Sequence, residues 1–252
     1  MISDIAFFSE CGVRPVNQDA IYVSAKEERG IFVVADGMGG HSDGAAASSA
    51  IVNGIRNWWS SNEFDTASMD IDAVFHQCNC LLNNINAEIF YYFNSRGQFG
   101  GSTIVVLILW DGRYTILSAG DSRIYRAREK ELEQLTVDDV WENLPEVKFE
   151  MSRESMECDS RFGKLTEAMG SDEQIRISRY SGMLTGRETF LLCSDGVYKF
   201  CTKEDLQKIM CHGSFLNSAD KMKEKIRKCA LKRGVDDNYS AIICCTKTDR
   251  DL

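Results

Sequence analysis

The stretch VVADGMGGHSDG, residues 33–44, follows an apolar run with a carboxylate and then places four glycines between positions 37 and 44. Five apolar residues in a row, Ile31 to Ala35, read as a strand buried on at least one face. A carboxylate at the exit of such a strand is costly unless something cationic meets it, so Asp36 needs a partner. The glycines let the chain turn sharply and approach a ligand closely. On this stretch alone three readings stay open: a metal site, a phosphate loop, or a plain strand-to-helix turn.

The rest of the chain narrows the setting. With 252 residues, 44% hydrophobic and 27% charged, it is long enough for a sizeable core, and a single domain over 1–252 is expected. No apolar segment is long enough to cross a bilayer, and the start MISDIAFFSECGVR lacks the basic opening and small-residue cleavage site of a signal peptide. A cytoplasmic, monomeric chain with no membrane partner is the expectation. The ten cysteines include no C-x-x-C pair, and Cys193, Cys244 and Cys245 lie in apolar segments, which points to reduced, mostly buried thiols. A formal charge of −9 argues against a nucleic-acid surface and leaves acidic groups available to hold cations.

Strands are expected at IAFFS, AIYVS and IFVVA, and a helix from 43 to about 60. Residues 70–93 predict a longer helix, because Ile71, Val74, Phe75, Cys78, Leu81, Leu82, Ile85, Ile89 and Phe93 recur at three- and four-residue spacing. STIVVLILW, YTILSA, SRIYRA and LEQLT predict an antiparallel meander, with DGR as a hairpin turn. Residues 137–163 carry many charges and little periodicity, as a surface excursion or lid would. IRISRY and TFLLCS read as strands, 203–210 and 217–232 as helices, and YSAIICCT as a closing strand. Strands and helices arriving in blocks indicate an α+β fold with antiparallel sheets.

Asp36 has three counterparts. Asp195 follows FLLCS, Asp121 follows ILSAG, and Asp237 stands just before the last strand, each where an apolar strand meets a loop. A sheet that gathered these four carboxylates would make them repel unless cations neutralised them, and such oxygen donors suit Mg²⁺ or Mn²⁺. The competing reading of each DG or DN is ordinary turn chemistry.

RPVNQDA (14–20), VVADGMGGHSDG (33–44), GGST (100–103), AGDSRIYR (119–126), LTVDD (135–139), LTEAMG (165–170), LCSDGVY (192–198) and DDNYSAI (236–242) occur in the order seen in metal-dependent protein phosphatases of type 2C. The chain resembles the bacterial branch of that family, whose members oppose Ser/Thr kinases. The resemblance implies a four-layer α-β-β-α sandwich, two antiparallel sheets flanked by helices, with the metal site at one edge. It implies hydrolysis of phosphoserine or phosphothreonine in proteins, with a cognate kinase among the partners, by direct attack of a hydroxide bridging two Mn²⁺ or Mg²⁺ ions.

By the same resemblance Asp36 bridges the two ions, the Gly37 carbonyl is a further ligand, and Asp195 and Asp237 complete the set. Asp121 joins Asp195 around a third, weaker ion. Asp19 and Gln18 act through water, and Asn238 supports the Asp237 loop. Arg14 grips the substrate phosphate. Ser102 and Thr103 are expected to be strand residues near the site, and Arg123 a structural cation paired with a carboxylate or carbonyl. The chain also departs from the family. Met38 stands where eukaryotic members carry the histidine that protonates the leaving group, which leaves the general acid unassigned, and Asp138-Asp139 replaces an acidic-histidine ending. His41, His76 and His212 are read as structural.

Two other phosphatase patterns occur. Cys244 and Arg250 have C-x5-R spacing without the glycines of a phosphate cradle, and DIDAV (70–74) matches a dehalogenase-type nucleophile pattern but opens a helix. The non-catalytic alternative is a pseudophosphatase that keeps fold and metals as a binding module without turnover.

Overall fold

The computed structural model describes residues 1–40, 43–61, 69–211 and 218–247. In chain order the first half holds β1 (Ile2–Glu10), β2 (Asp19–Lys26), β3 (Arg29–Gly39), α1 (Asp43–Ser61), α2 (Ile71–Asn94), β4 (Gly100–Ser102), β5 (Ile104–Trp110) and β6 (Arg113–Ala119). The second half holds β7 (Arg123–Arg128), β8 (Glu131–Gln134), α3 (Pro145–Glu150), α4 (Arg153–Glu157), β9 (Ser178–Met183), β10 (Glu188–Cys193), α5 (Asp195–Tyr198), α6 (Lys203–Cys211), α7 (Ala219–Lys232) and β11 (Tyr239–Thr246). One sheet runs β2-β3-β5-β6-β9 with β4 paired to β3, and the other runs β1-β11-β10-β7-β8, all antiparallel where registered.

The apolar runs are continuous because the central strands are covered on both faces. Phe32, Val34, Val105 and Leu107 meet Phe190, Leu192 and Ile242 between the sheets. The alternate residues Ile31, Val33, Val106 and Ile108 face the inner stripes of α1 and α2, including Ile51, Ile55, Leu82 and Ile85. On the far side Leu191, Cys193 and Ile243 pack with Leu206, Met210, Met222 and Ile226 of α6 and α7. The result is the four-layer α-β-β-α sandwich. Helix α2 starts where the sequence indicates, with Asp70 accepting a hydrogen bond from the Ala73 amide at 2.8 Å.

The expected meander breaks into two hairpins in different sheets. Strands β5 and β6 are joined through Asp111 (φ 48°) and Gly112 (φ 78°), a two-residue turn with both residues left-handed. Strand β6 then pairs with β9, whereas β7 pairs with β8 and β10. The chain crosses between sheets at Gly120–Ser122, where Gly120 adopts φ +100°. Spacing alone could not reveal this, because a short connection serves a hairpin and a crossing equally well. Two smaller corrections concern β9, which runs Ser178–Met183 instead of starting at Ile175, and residues 137–163, which contain α3, α4 and a short 3-10 turn. These helices are too short for periodicity to register, and they fold around their own cluster of Trp141, Val147 and Met156.

All ten cysteines are free, five of them buried, two exposed and the rest half-buried. Gly196 is fixed by close approach, since a Cβ there would lie 2.0 Å from the Asn238 carbonyl oxygen. We expect Gly196→Ala to cost roughly 1–3 kcal/mol, read as a lower urea midpoint with unchanged slope.

Candidate active site

Asp36 leaves the buried part of β3 with its peptide held from both sides. Its amide donates to Thr103 Oγ1 at 3.2 Å, and its carbonyl accepts from the Thr103 amide at 2.8 Å and from Ser102 Oγ at 3.0 Å. Ser102 ends β4 as the expected strand residue near the site, whereas Thr103 falls in the one-residue break before β5; both hold the Asp36 peptide. Across the β2–β3 ladder, Asp19 stands in register with Asp36. The Gly37 amide donates to the Gln18 carbonyl at 3.1 Å, and a Cβ on Gly37 would lie 2.2 Å from the Gly44 carbonyl oxygen. Here glycine is required because α1 docks directly on the end of β3.

The second sheet supplies the other side. Asp195 opens α5 just after β10, and the preceding Ser194 donates from Oγ to Asp19 Oδ2 at 2.7 Å. Asp121 lies in the crossing between the sheets and accepts from the Tyr198 hydroxyl at 2.9 Å. Asn238 ties the last loop to the first: Nδ2 donates to the Cys11 and Val16 carbonyls at 2.9 and 3.0 Å, and Oδ1 accepts from the Gln18 amide at 2.8 Å. Arg14 reaches the same loop, donating to the Asp236 carbonyl and to Asp237 Oδ2, each at 3.0 Å.

The acids feel one another strongly. Burial, then the charges of Asp19, Asp195 and Asp121, push the Asp36 carboxyl well above the usual carboxylate range. Burial raises Asp19 to about 6, against hydrogen bonds from Ser240 and Ser194 and with help from the Asp195 charge. Asp121 is likewise raised by burial and by Asp195, and lowered in part by Tyr198 and Lys199. Lys199 Nζ sits 2.5 Å from Asp195 Oδ2. Burial opposes its charge, yet Asp195, Asp121 and Asp36 hold the ammonium above the ordinary lysine value.

The fold thus gathers Asp19, Asp36, Asp121 and Asp195, while Asp237 is engaged by Arg14 on the adjoining loop. Asp19 stands directly among the acids. Among the described residues no three His, Cys, Asp or Glu side chains converge as a ready-made cation cage. Their chemistry nevertheless fits a hard divalent ion: all are oxygen donors, and Asp19 Oδ1 is buried without a hydrogen-bond partner among the described residues. Beside Asp121, Tyr198 and Lys199 opens a cavity of about 640 Å³ whose other wall includes Lys148, Met156 and Phe162.

Sequence reasoning missed Tyr198 and Lys199, although the four-residue step from Asp195 to Lys199 is a helical ion-pair spacing. Arg123 is the structural cation expected, binding Asp138 through Nε at 3.0 Å and Nη2 at 2.6 Å and lying 3.5 Å over the Tyr198 ring. Asp139 accepts from the Gly120 amide at 3.1 Å, so Asp138-Asp139 pins the crossing. His76 is exposed on α2, and His41 and His212 lie outside the described residues. Cys244 is fully buried and its thiol is pushed upward by burial, the reverse of what a nucleophile needs; Arg250 lies outside the described residues. Asp70 is a helix cap.

The sequence pattern described as Protein phosphatase 2C matches residues 13–233, and the chain belongs to that family of metal-dependent protein phosphatases. It is 28% identical over 229 residues to the serine/threonine phosphatase stp of Listeria monocytogenes, covering 90% of this chain and 87% of that one. Among solved structures it resembles PppA, a regulatory component of T6SS in Pseudomonas aeruginosa, with 30% identity, a TM-score of 0.79, and coverage of 96% and 98% of the two chains. The fold also matches the serine/threonine phosphatase Stp1 from Staphylococcus aureus, with 20% identity, a TM-score of 0.85, and coverage of 98% and 96%.

Because the folded chain holds the Asp19 proton up to about 6 while the unfolded chain releases it near 3.8, the folded state binds more protons between those values. In EDTA the unfolding free energy is therefore expected to fall as pH rises from about 4 to past 6, and Asp19→Asn should flatten that fall in urea titrations.

Proposed function

We propose that this chain removes phosphate from phosphoserine and phosphothreonine in proteins, opposing a Ser/Thr kinase, with Mn²⁺ or Mg²⁺ as cofactor. The reading rests above all on one observation: carboxylates from both sheets, Asp19 buried and Asp36, Asp121 and Asp195 half-buried, meet at one edge, where burial and their mutual repulsion hold the Asp36 carboxyl well above its ordinary value. Divalent cations bound there would offset the cost of that arrangement. Asp36, the Gly37 carbonyl, Asp195 and Asp237 would hold two ions, with Asp19 and Gln18 orienting waters around them. When bound, divalent ions neutralise phosphate and acidify water toward neutrality.

The chain's own residues supply the rest. Asn238 fixes the Asp237 loop against residues 11–18, so that Arg14 and the acids keep one geometry. Arg14 is about half exposed and has its guanidinium beside Asp237, where it can turn to two phosphate oxygens of an arriving substrate. A cation held by Asp237 would compete with its ion pair to Arg14, leaving the guanidinium for that task. Met38 carries no proton to give, so no side chain at that position assists the leaving alcohol.

Hydrolysis of a phosphothreonine peptide is expected with Mn²⁺, to vanish with excess EDTA, and to fall by several orders of magnitude in Asp36→Asn while the circular dichroism stays native. Wild-type protein that binds Mn²⁺ but releases no phosphate from any phosphopeptide would replace this reading with the binding-module one. Arg14→Ala should lower kcat/KM by about 10–100-fold, the scale of a lost charge-assisted contact.

A further inference from the structure

Resting on the reading of Asp36, Asp195 and Asp237 as ion-holding residues, we propose that Lys199 is a resident cation of this site: its tethered ammonium takes the place of a further divalent ion between Asp195 and Asp121. One oxygen of each carboxylate such an ion would bridge is already engaged. Lys199 Nζ lies 2.5 Å from Asp195 Oδ2, and the Tyr198 hydroxyl donates to Asp121 Oδ2 at 2.9 Å. Tyr198 cannot easily turn away, because the Arg123 guanidinium lies 3.5 Å over its ring and is itself clamped by Asp138. Asp121, Tyr198 and Lys199 line the same cavity, so the ammonium and the Asp121 corner face one space.

Charge balance points the same way. The five carboxylates Asp19, Asp36, Asp121, Asp195 and Asp237 would be neutralised by two divalent ions and one ammonium. That leaves the Arg14 charge for phosphate. A further divalent ion would overshoot, and Lys199 would have to leave Asp195 to admit it. Unlike a bound ion, the ammonium is covalently held and no chelator can remove it. It follows that the Asp121 corner keeps its positive charge when the metals are stripped.

The test is Mn²⁺ stoichiometry by equilibrium dialysis on the chelator-treated full chain, comparing wild type, Lys199→Met and Lys199→Arg. The side chain is 57% exposed, so Met should be tolerated, and circular dichroism checks the fold. Lys199→Met should bind one more Mn²⁺ per chain than wild type, Lys199→Arg the same number as wild type, and Asp121→Asn added to Lys199→Met should cancel the gain. Equal stoichiometry in wild type and Lys199→Met would overturn the proposal and leave the two-ion reading standing. Wild type binding a third ion would also overturn it, whatever the variants do. Wild type binding no Mn²⁺ would overturn both.

Discussion

Repulsion among like charges brought together at one edge of the sandwich is the constraint on which this molecule turns. Asp36 cannot withdraw from Asp19, Asp121 and Asp195, because its peptide is fixed by Thr103 and Ser102 and its strand is buried on both faces. The two sheets bring strand ends from opposite sides to that point. Packing of Phe32, Val34, Phe190 and Ile242 between them fixes how close those ends come. The apolar core thus sets the energy of the polar site, and the compact state tolerates the repulsion because burial elsewhere exceeds it.

Much of this was legible in the sequence because it is written in local patterns. Strand β11 reads end to end as YSAIICCT, α2 begins one residue after its Asp70 cap, and the aspartates stand where apolar runs stop. What stayed hidden depends on contacts between distant segments. The partition of β6 and β7 into different sheets is decided by β9 and β10 arriving some sixty residues later, which no spacing near 120 encodes. The closeness of Asp19 to Asp36 is a matter of register between β2 and β3. Tyr198 and Lys199 acquire their roles only when α5 is set against the crossing.

The departures from the family pattern become intelligible at the same crossing. Asp138 and Asp139 stand in place of an acidic-histidine ending, and they serve there as anchors: one clamps Arg123, the other caps the Gly120 amide. The segment that follows, with Trp141, Val147 and Met156 as its own small core, is thereby hung from the acidic edge instead of from the sandwich interior. Its conformation and that of Asp121 are linked through Asp138, Arg123 and Tyr198, a run of direct contacts.

Strand β11 lies between β1 and β10, pairing with the first strand of the chain on one side. During synthesis the sheet containing β2, β3, β5, β6 and β9 can close before β11 has left the ribosome, whereas β1 and β10 must wait with their edges open. Asp237 and Asn238 arrive with that strand, and Asn238 is what stitches residues 11–18 into place. A nascent or truncated chain therefore has its acidic pair of Asp19 and Asp36 but neither the clamp nor Arg14 in position. Long-range closure of this kind slows folding, and it leaves residues 11–18 without their Asn238 anchor until the final strand is seated.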